Sequence, residues 1–481
     1  MDDRLKTLLL TSGVAALGGF AWLYLVRARR AGRKHSAPQI WEDVPGAEAA
    51  VGGTVASERD VDVDHERLAA LKEAIIDAVG DGTLPMFGMM VARRGRVVLS
   101  VAAGDARQGQ MLTPKTPLRF FSNAKPLTQV AALILLEEGK LQLDDLVSSH
   151  LPYWDDSKVT VFDSQSPGKK VPAQKPLRIV DLFCHVAGLT YGFSETCPEV
   201  SVQYRQQAIE LPHKLSRHAD EQLPPCSTLR EFVTRLNDIP LVAQPRTFFE
   251  YSESPDLLGA VIEEVSGQTL GAFMQDRILG PLKMFDSSLT LSDDLHKRLA
   301  SCFRSVGEKS FELEADIKPA QAHSGGAGLI STAWDYMRFV QCITNGGALE
   351  GVRILQAETL VMANCDHLKL LGAEPLGDRW PYQGYGLLGG VVTSPSQNEL
   401  FPGEHMSGLG ATGFGGAAGT YAFADREQEL SCVLYTQLLD YSVGAAEVRS
   451  HFAKAAYSIF PDVLGLSKCK GKSSQSLKFS G

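Results

Sequence analysis

RFFSNAKPLTQ (119–129) and the run VAALILLEEG (130–139) that follows it decide how this chain is read. Val130 to Leu136 contains no polar side chain, so a helix here is buried on nearly every side. The pattern predicts a helix over Ser122–Glu138, with Gly139 placed to stop it. Ser122 and Lys125 stand three apart, and residues three apart share a helix face. A serine hydroxyl is a poor nucleophile until a base removes its proton. Burial lowers a lysine pKa and frees the amine for that task near neutral pH. An amide at a helix N-terminus can also stabilise an oxyanion. Ser-x-x-Lys recurs at Ser166/Lys169, across Pro167-Gly168, and at Ser467/Lys470 near the C-terminus. Of the three, only Ser122/Lys125 opens an apolar helix. Taken alone, the motif also suits an N-cap serine beside an exposed lysine.

Two further segments bear on the chemistry. In FEYSE (249–253), ahead of a helix expected over Asp256–Val265, a tyrosine near a lysine can relay protons, because an ammonium stabilises the phenolate. Tyr251 could equally be a core aromatic. GLGATGFGGAAGT (408–420) contains the Gly-x-Gly-x-x-Gly spacing of a dinucleotide fingerprint at Gly408, Gly410 and Gly413. That fingerprint needs a strand before it and a helix after it. Here more glycine and an alternating strand follow, so cofactor binding is rejected. A glycine-rich strand can instead let a substrate lie against the backbone and offer it an N–H.

Outward from these segments, Phe87–Ala103 reads as two strands around Arg94-Gly95. Helices are expected over Leu229–Leu236 and Thr332–Ile343, strands over Tyr421–Asp425 and Glu429–Gln437, and a last helix over residues 447–459. Strands at both ends of the body and helical pieces between them predict one shared antiparallel sheet with a helical lobe.

Composition is that of a globular protein: 481 residues, 44% apolar and 21% charged, which excludes a disordered or collagen-like chain. Residues 1–35 contribute +5 to a net charge of −9 and leave about −14 on the rest, which argues against nucleic acid as a partner. The eight cysteines have irregular spacing and no Cys-x-x-Cys, so scattered thiols are expected rather than a zinc site or disulfide framework. Leu8 to Val26 is uncharged for 19 residues, with Trp22 and Tyr24 inside it and Arg27, Arg29, Arg30, Arg33 and Lys34 after it. A helix of that length spans roughly 28 Å, about one hydrocarbon core. The run is therefore expected to be a single transmembrane anchor, and the basic flank places the body on the cytoplasmic side, with a mitochondrial membrane as the alternative. The expected organisation is an anchor and basic flank over 1–35, a linker over 36–64, a body over 65–460 and a flexible tail over 461–481.

The segments above occur in the order found in the serine β-lactamase and penicillin-binding-protein superfamily. The chain most resembles its esterase branch, the class C β-lactamase-like family VIII carboxylesterases. The resemblance covers about residues 67 to 460 and includes LQLDDLVSSHLP (141–152), LFCHVAGLTYGF (182–193), FFEYSESPDLLGAVIEEVSG (248–267), HSGGAGLISTAWDYMRF (323–339) and GFGGAAGTYAFAD (413–425). It implies an α/β fold of the α+β type, an antiparallel sheet flanked by helices, with the site between sheet and helical lobe. It also implies Ser122 as nucleophile, Lys125 as its base and Tyr251 as proton relay. The amides of Ser122 and Ala417 would form the oxyanion hole, and Phe414, Gly415 and Gly416 would line the substrate. No metal or organic cofactor is implied. The expected substrate is a neutral small-molecule ester or acyl donor, handled by hydrolysis or acyl transfer through an acyl-serine.

The chain departs from the lactamases in two places. Glu253 stands where they carry Asn in Tyr-x-Asn, and Phe414 stands where their third motif begins with a cation. A second register, Ala411-Thr412-Gly413, is open for that motif. The missing cation argues against substrates held by a carboxylate. These departures leave two other readings open: a catalytically idle scaffold on the same fold, or a peptidase. His185, in His-x-x-Gly-Leu, is expected to be structural. No Gly-x-Ser-x-Gly elbow is present, so an α/β-hydrolase triad is not supported.

Overall fold

Alternation with period two builds the sheet. In the strand Met86–Arg93, Met86, Met90 and Ala92 enter one apolar core, while Phe87, Met89 and Val91 enter a second on the opposite face. The computed structural model describes residues 38–42, 61–163, 168–209, 224–306, 309–313, 322–374, 384–393, 410–439 and 443–463. Its principal strands are β1 (Ile40–Glu42), β2 (Met86–Arg93), β3 (Arg96–Arg107), β4 (Gly384–Gly386), β5 (Gly389–Val391), β6 (Thr412–Gly415), β7 (Tyr421–Asp425) and β8 (Leu430–Tyr435). They lie in the order β1-β3-β2-β8-β7-β6-β5-β4, antiparallel throughout, with Gln110–Met111 paired to β3. The two ends of the body therefore share one sheet, as the sequence predicts.

The β2–β3 hairpin turns at Arg94 and Gly95, both at positive φ (50° and 75°), the geometry that matches the twist of the flanking strands. Farther along, Val91 pairs with Leu99 but Ala92 pairs with Val97. The extra residue, Val98, is a bulge. Without it Val97 and Leu99 would share a face; with it they reach opposite cores.

Each face of the sheet is covered. The helices His65–Gly80 and Val443–Ser458 lie on one side, and Ala333–Thr344 packs on the other against β7 and β8. Beyond that helix is the helical lobe, where Ala124–Glu137 packs against Ser254–Ser266, itself flanked by Ile179–Phe183 and Leu229–Leu236. Ala124–Glu137 buries its whole length from Ala124 to Leu135. Two short strands, Leu118–Phe121 and Leu329–Ser331, pair antiparallel and bring residues 322–328 beside the start of that helix.

Two expected boundaries fall among structured residues, and a third expectation lies outside the described ones. Part of the stretch read as a linker is structured, since β1 pairs with β3 and the Asp64 side chain caps the His65–Gly80 helix. Asp462, assigned to the tail, is held by both terminal nitrogens of Arg93 at 2.5 and 2.9 Å. Among the described residues no helix is long and apolar enough to cross a membrane; the run 8–26 lies outside them.

Candidate active site

Ser122 does not occupy the first turn of the helix, as its spacing suggests. Phe121 adopts φ +45°, a left-handed conformation that costs a non-glycine residue on the order of 1–2 kcal/mol. That residue turns the chain sharply out of the Leu118–Phe121 strand. Ser122 and Asn123 form a tight turn, with Asn123 N–H donating to the Phe120 carbonyl, and the helix begins at Ala124. The backbone N–H of Lys125 donates to the Ser122 carbonyl at 3.1 Å. The turn delivers the Ser122 side chain toward the lobe, above the first helical turn.

There the Lys125 amine is fully buried. Nζ lies 3.2 Å from Ser122 Oγ and donates to the Gly326 carbonyl at 2.7 Å. Burial lowers its pKa from 10.5 to about 8, against the opposing pull of the Asp256 and Glu253 carboxylates. Three aromatic rings surround the amine: Tyr251 at 4.6 Å from its centroid, Tyr191 at 5.6 Å and Phe414 at 6.0 Å. The Tyr251 side chain is hydrogen-bonded to that of Ser122. Burial pushes the Tyr251 pKa upward, and the Ser122 bond works the other way. Ser122, Lys125 and Tyr251 thus meet, though the first and last stand 129 positions apart.

Of the two registers considered for the third motif, it is Phe414 that lies beside Lys125. Strand β6 ends at Gly415 with the Phe414 ring over Lys125, and the ring centroids of Phe414 and Tyr251 are 6.4 Å apart. Thr412 points instead to the Gly390 carbonyl of the neighbouring strand. Asn123 ties this strand to the Ser122 turn. With its amide oxygen toward Thr420 Oγ1 (2.9 Å) and Gly416 N (3.2 Å), its nitrogen donates to the Phe414 carbonyl at 3.1 Å. Gly416 has no room for a side chain, because a Cβ would strike Thr420 Oγ1 and the Phe120 carbonyl. Ala417 is exposed, in the turn closed by Gly416 N–H on the Thr420 carbonyl at 2.7 Å.

Residues outside the expected set complete the surroundings. Asp256, buried in the first turn of the Ser254–Ser266 helix, accepts from Ser324 Oγ at 2.7 Å and from Gly326 N–H at 3.1 Å. It therefore fixes the residue whose carbonyl receives Lys125. Glu250, next to Tyr251, accepts from the hydroxyls of Thr190, Ser194 and Thr196 at 2.7, 2.8 and 2.8 Å. His185 is fully buried; Nδ1 accepts the Ser252 N–H at 3.1 Å, and its ring packs on Tyr251 at 4.9 Å. Burial, with the Lys125 charge adding to it, lowers its pKa well below 6.5, so the ring is neutral while it holds the Ser252 amide. Glu253 is buried at the N-cap of the Ser254–Ser266 helix, close enough for its charge to act on Lys125. Among the described residues no three His, Cys, Asp or Glu side chains are grouped to hold a metal ion, and no disulfide joins the described cysteines.

The arrangement can do specific chemistry. A hydroxyl within reach of a desolvated amine, with a phenol on its other side, can lose its proton to one and exchange protons with the other.

Known proteins with the same framework are numerous. An uncharacterized protein of Mycobacterium tuberculosis is 32% identical over 356 residues, covering 71% of this chain and 82% of the relative. Esterase EstB of Burkholderia gladioli is 28% identical over 398 residues, 78% of this chain and 91% of the esterase. Among solved structures, EstCE1, described as a hydrolase with promiscuous acyltransferase activity, superposes with a TM-score of 0.64 at 24% identity, over 81% of this chain and 98% of its own. The family model described as Beta-lactamase matches residues 71–455. By that match, and by the sheet, lobe and Ser122–Lys125–Tyr251 cluster, this chain belongs to the beta-lactamase family.

Proposed function

We propose that this protein is a serine hydrolase that cleaves neutral esters, or transfers their acyl groups, through an acyl-Ser122 intermediate. The observation that carries the reading is the buried Lys125 amine, titrating at about 8, with Nζ 3.2 Å from Ser122 Oγ. Neutral Lys125 takes the Ser122 proton as Oγ bonds to the ester carbonyl carbon. The carbonyl oxygen becomes an oxyanion, received by the backbone N–H groups of Ser122 and Ala417. Collapse of the tetrahedral adduct breaks the bond to the alcohol oxygen, which takes a proton through Tyr251. Water, or an acceptor alcohol, then gives its proton back along the same path and attacks the acyl carbon, releasing Ser122. EstB is named an esterase and EstCE1 a hydrolase with acyltransferase activity, which supports the same chemistry here.

Phe414 favours neutral substrates. Its buried ring stands over Lys125 where a cation would pair with a substrate carboxylate, and an apolar ring offers a carboxylate nothing. Phe414, Gly415 and Gly416 would form the wall along which the ester lies.

A fluorophosphonate probe tests the core of this reading. Labelling is expected on Ser122, and Ser122→Ala is expected to abolish it; labelling of another serine in that variant would refute the assignment. We further infer that residues 8–26 anchor the protein with its body toward the cytoplasm, on the strength of their uncharged run and the basic cluster after it. Resistance of the membrane-bound protein to alkaline extraction, lost on deleting 1–35, is the expected result; release by alkali of the full chain would overturn it.

A further inference from the structure

Most large apolar side chains of the described residues are covered, but Phe193 is 65% exposed. Its ring stacks on Tyr191 with centroids 4.7 Å apart and planes 14° from parallel. Tyr191 in turn lies 5.5 Å from the Tyr251 ring and 5.6 Å from Lys125 Nζ. A continuous series of rings therefore leads from solvent to the Ser122 site. We propose that the Phe193–Tyr191 pair is the subsite for the alcohol part of the ester, and for the acceptor alcohol when the acyl group is transferred. The inference rests on the esterase reading above and adds a substrate preference to it: aromatic, flat alcohols.

Two observations support a built subsite rather than an accident of exposure. First, the loop is pinned. The hydroxyls of Thr190, Ser194 and Thr196 all converge on Glu250, the residue before Tyr251. Ser201 Oγ donates to the Ser194 carbonyl at 2.8 Å, and Arg205 donates to the Gly192 carbonyl. A loop so held cannot fold its aromatic ring into the core, and a ring already fixed loses little conformational entropy when a ligand lies on it. Second, the placement matches one half of the substrate. Tyr251 hydrogen-bonds Ser122, and in the esterase reading it is the phenol that hands a proton to the departing alcohol. The alcohol therefore leaves on the Tyr251 side, and Tyr191 flanks Tyr251. An aromatic alcohol there can stack in the offset geometry that aromatic pairs prefer.

The test uses the full chain and two ester series. In the first, acetate is constant and the alcohol runs from methanol to 2-naphthol. In the second, p-nitrophenol is constant and the acyl group runs from acetyl to hexanoyl. Each result is a ratio of kcat/KM values from one preparation, so a misfolded fraction cancels. Phe193→Ala is expected to lower the naphthyl-to-methyl acetate ratio about tenfold, the scale of one lost aromatic contact. The hexanoate-to-acetate ratio should stay at its wild-type value, and Phe193→Trp should keep both ratios within about twofold of wild type. An unchanged naphthyl-to-methyl ratio in Phe193→Ala would overturn the inference alone. So would a drop confined to the hexanoate-to-acetate ratio, which would put the ring on the acyl side. Failure of the wild-type protein to cleave any ester of either series would remove the esterase reading and this inference with it.

Discussion

Raising the pH from 7 to 9 interrogates Lys125 directly. Its amine titrates at about 8 because burial opposes the charge more than the Asp256 and Glu253 carboxylates favour it. A group with that pKa is neutral in about one molecule in eleven at pH 7, about half at pH 8 and about ten in eleven at pH 9. If neutral Lys125 accepts the Ser122 proton, kcat/KM for p-nitrophenyl acetate rises about tenfold across this window and levels off above it. Initial rates at constant ionic strength, with spontaneous ester hydrolysis subtracted at each pH, measure the limb. An inflection near 10.5, the ordinary lysine value, would show that the amine is solvated in the working enzyme. A flat profile would show that no group of this pKa gates acylation. Either result refutes the reasoning.

The same depressed pKa affects stability with a definite sign. The folded pKa lies below the unfolded one, so between about 8 and 10.5 the unfolded chain binds more protons and folding grows more favourable as pH rises. Below pH 8 the folded state carries a penalty of about 3 kcal/mol for the buried ammonium. Lys125→Met is therefore expected to abolish esterase activity yet unfold at higher denaturant concentration than wild type at pH 7, with the gap closing by pH 10.5; equal midpoints at pH 7 would count against it. Asp256→Asn removes a charge that holds the Lys125 pKa up, and keeps an oxygen for Gly326 N–H, so the activity limb should move to lower pH. A limb that stays at 8 would show that Asp256 acts by position alone. Gly416→Ala forces a Cβ against Thr420 and the Phe120 carbonyl, so a loss of about 1–3 kcal/mol is expected in urea unfolding, together with reduced labelling of Ser122. Wild-type stability in that variant would mean the turn adapts.

Ser122 and Lys125 stood out by their spacing at the head of an apolar run, whereas Tyr251 and Phe414 became candidates only through the family resemblance of their segments. Asp256, Gly326, Glu250 and Asn123 were not legible, because what they do depends on partners far along the chain. Lys125 reaches Gly326 across 201 residues, and Asp256 reaches Ser324 across 68. A signal for Asp256 did exist: a carboxylate inside an otherwise apolar helix, SPDLLGAVI, has to meet a buried donor. Likewise the hydroxyls of Thr190, Ser194 and Thr196 looked like loop chemistry until Glu250 was seen among them. The start of the Ala124–Glu137 helix was misplaced because helix propensity and apolar spacing carry no trace of a left-handed Phe121. The Val98 bulge was equally silent, since Val97, Val98 and Leu99 are all apolar and either face would accept them.

What the amino-acid order settled unaided was the set of elements: a buried helix close behind Ser122, a hairpin at Arg94-Gly95, and alternating strands near the end. These follow from periodicity and turn chemistry, which act over a few residues. Only the folded chain decided that the lysine is dry, which of two glycine-rich registers faces it, and which carboxylate aims its acceptor. Desolvation is a property of everything packed around a group, so no stretch of neighbours along the chain can set it.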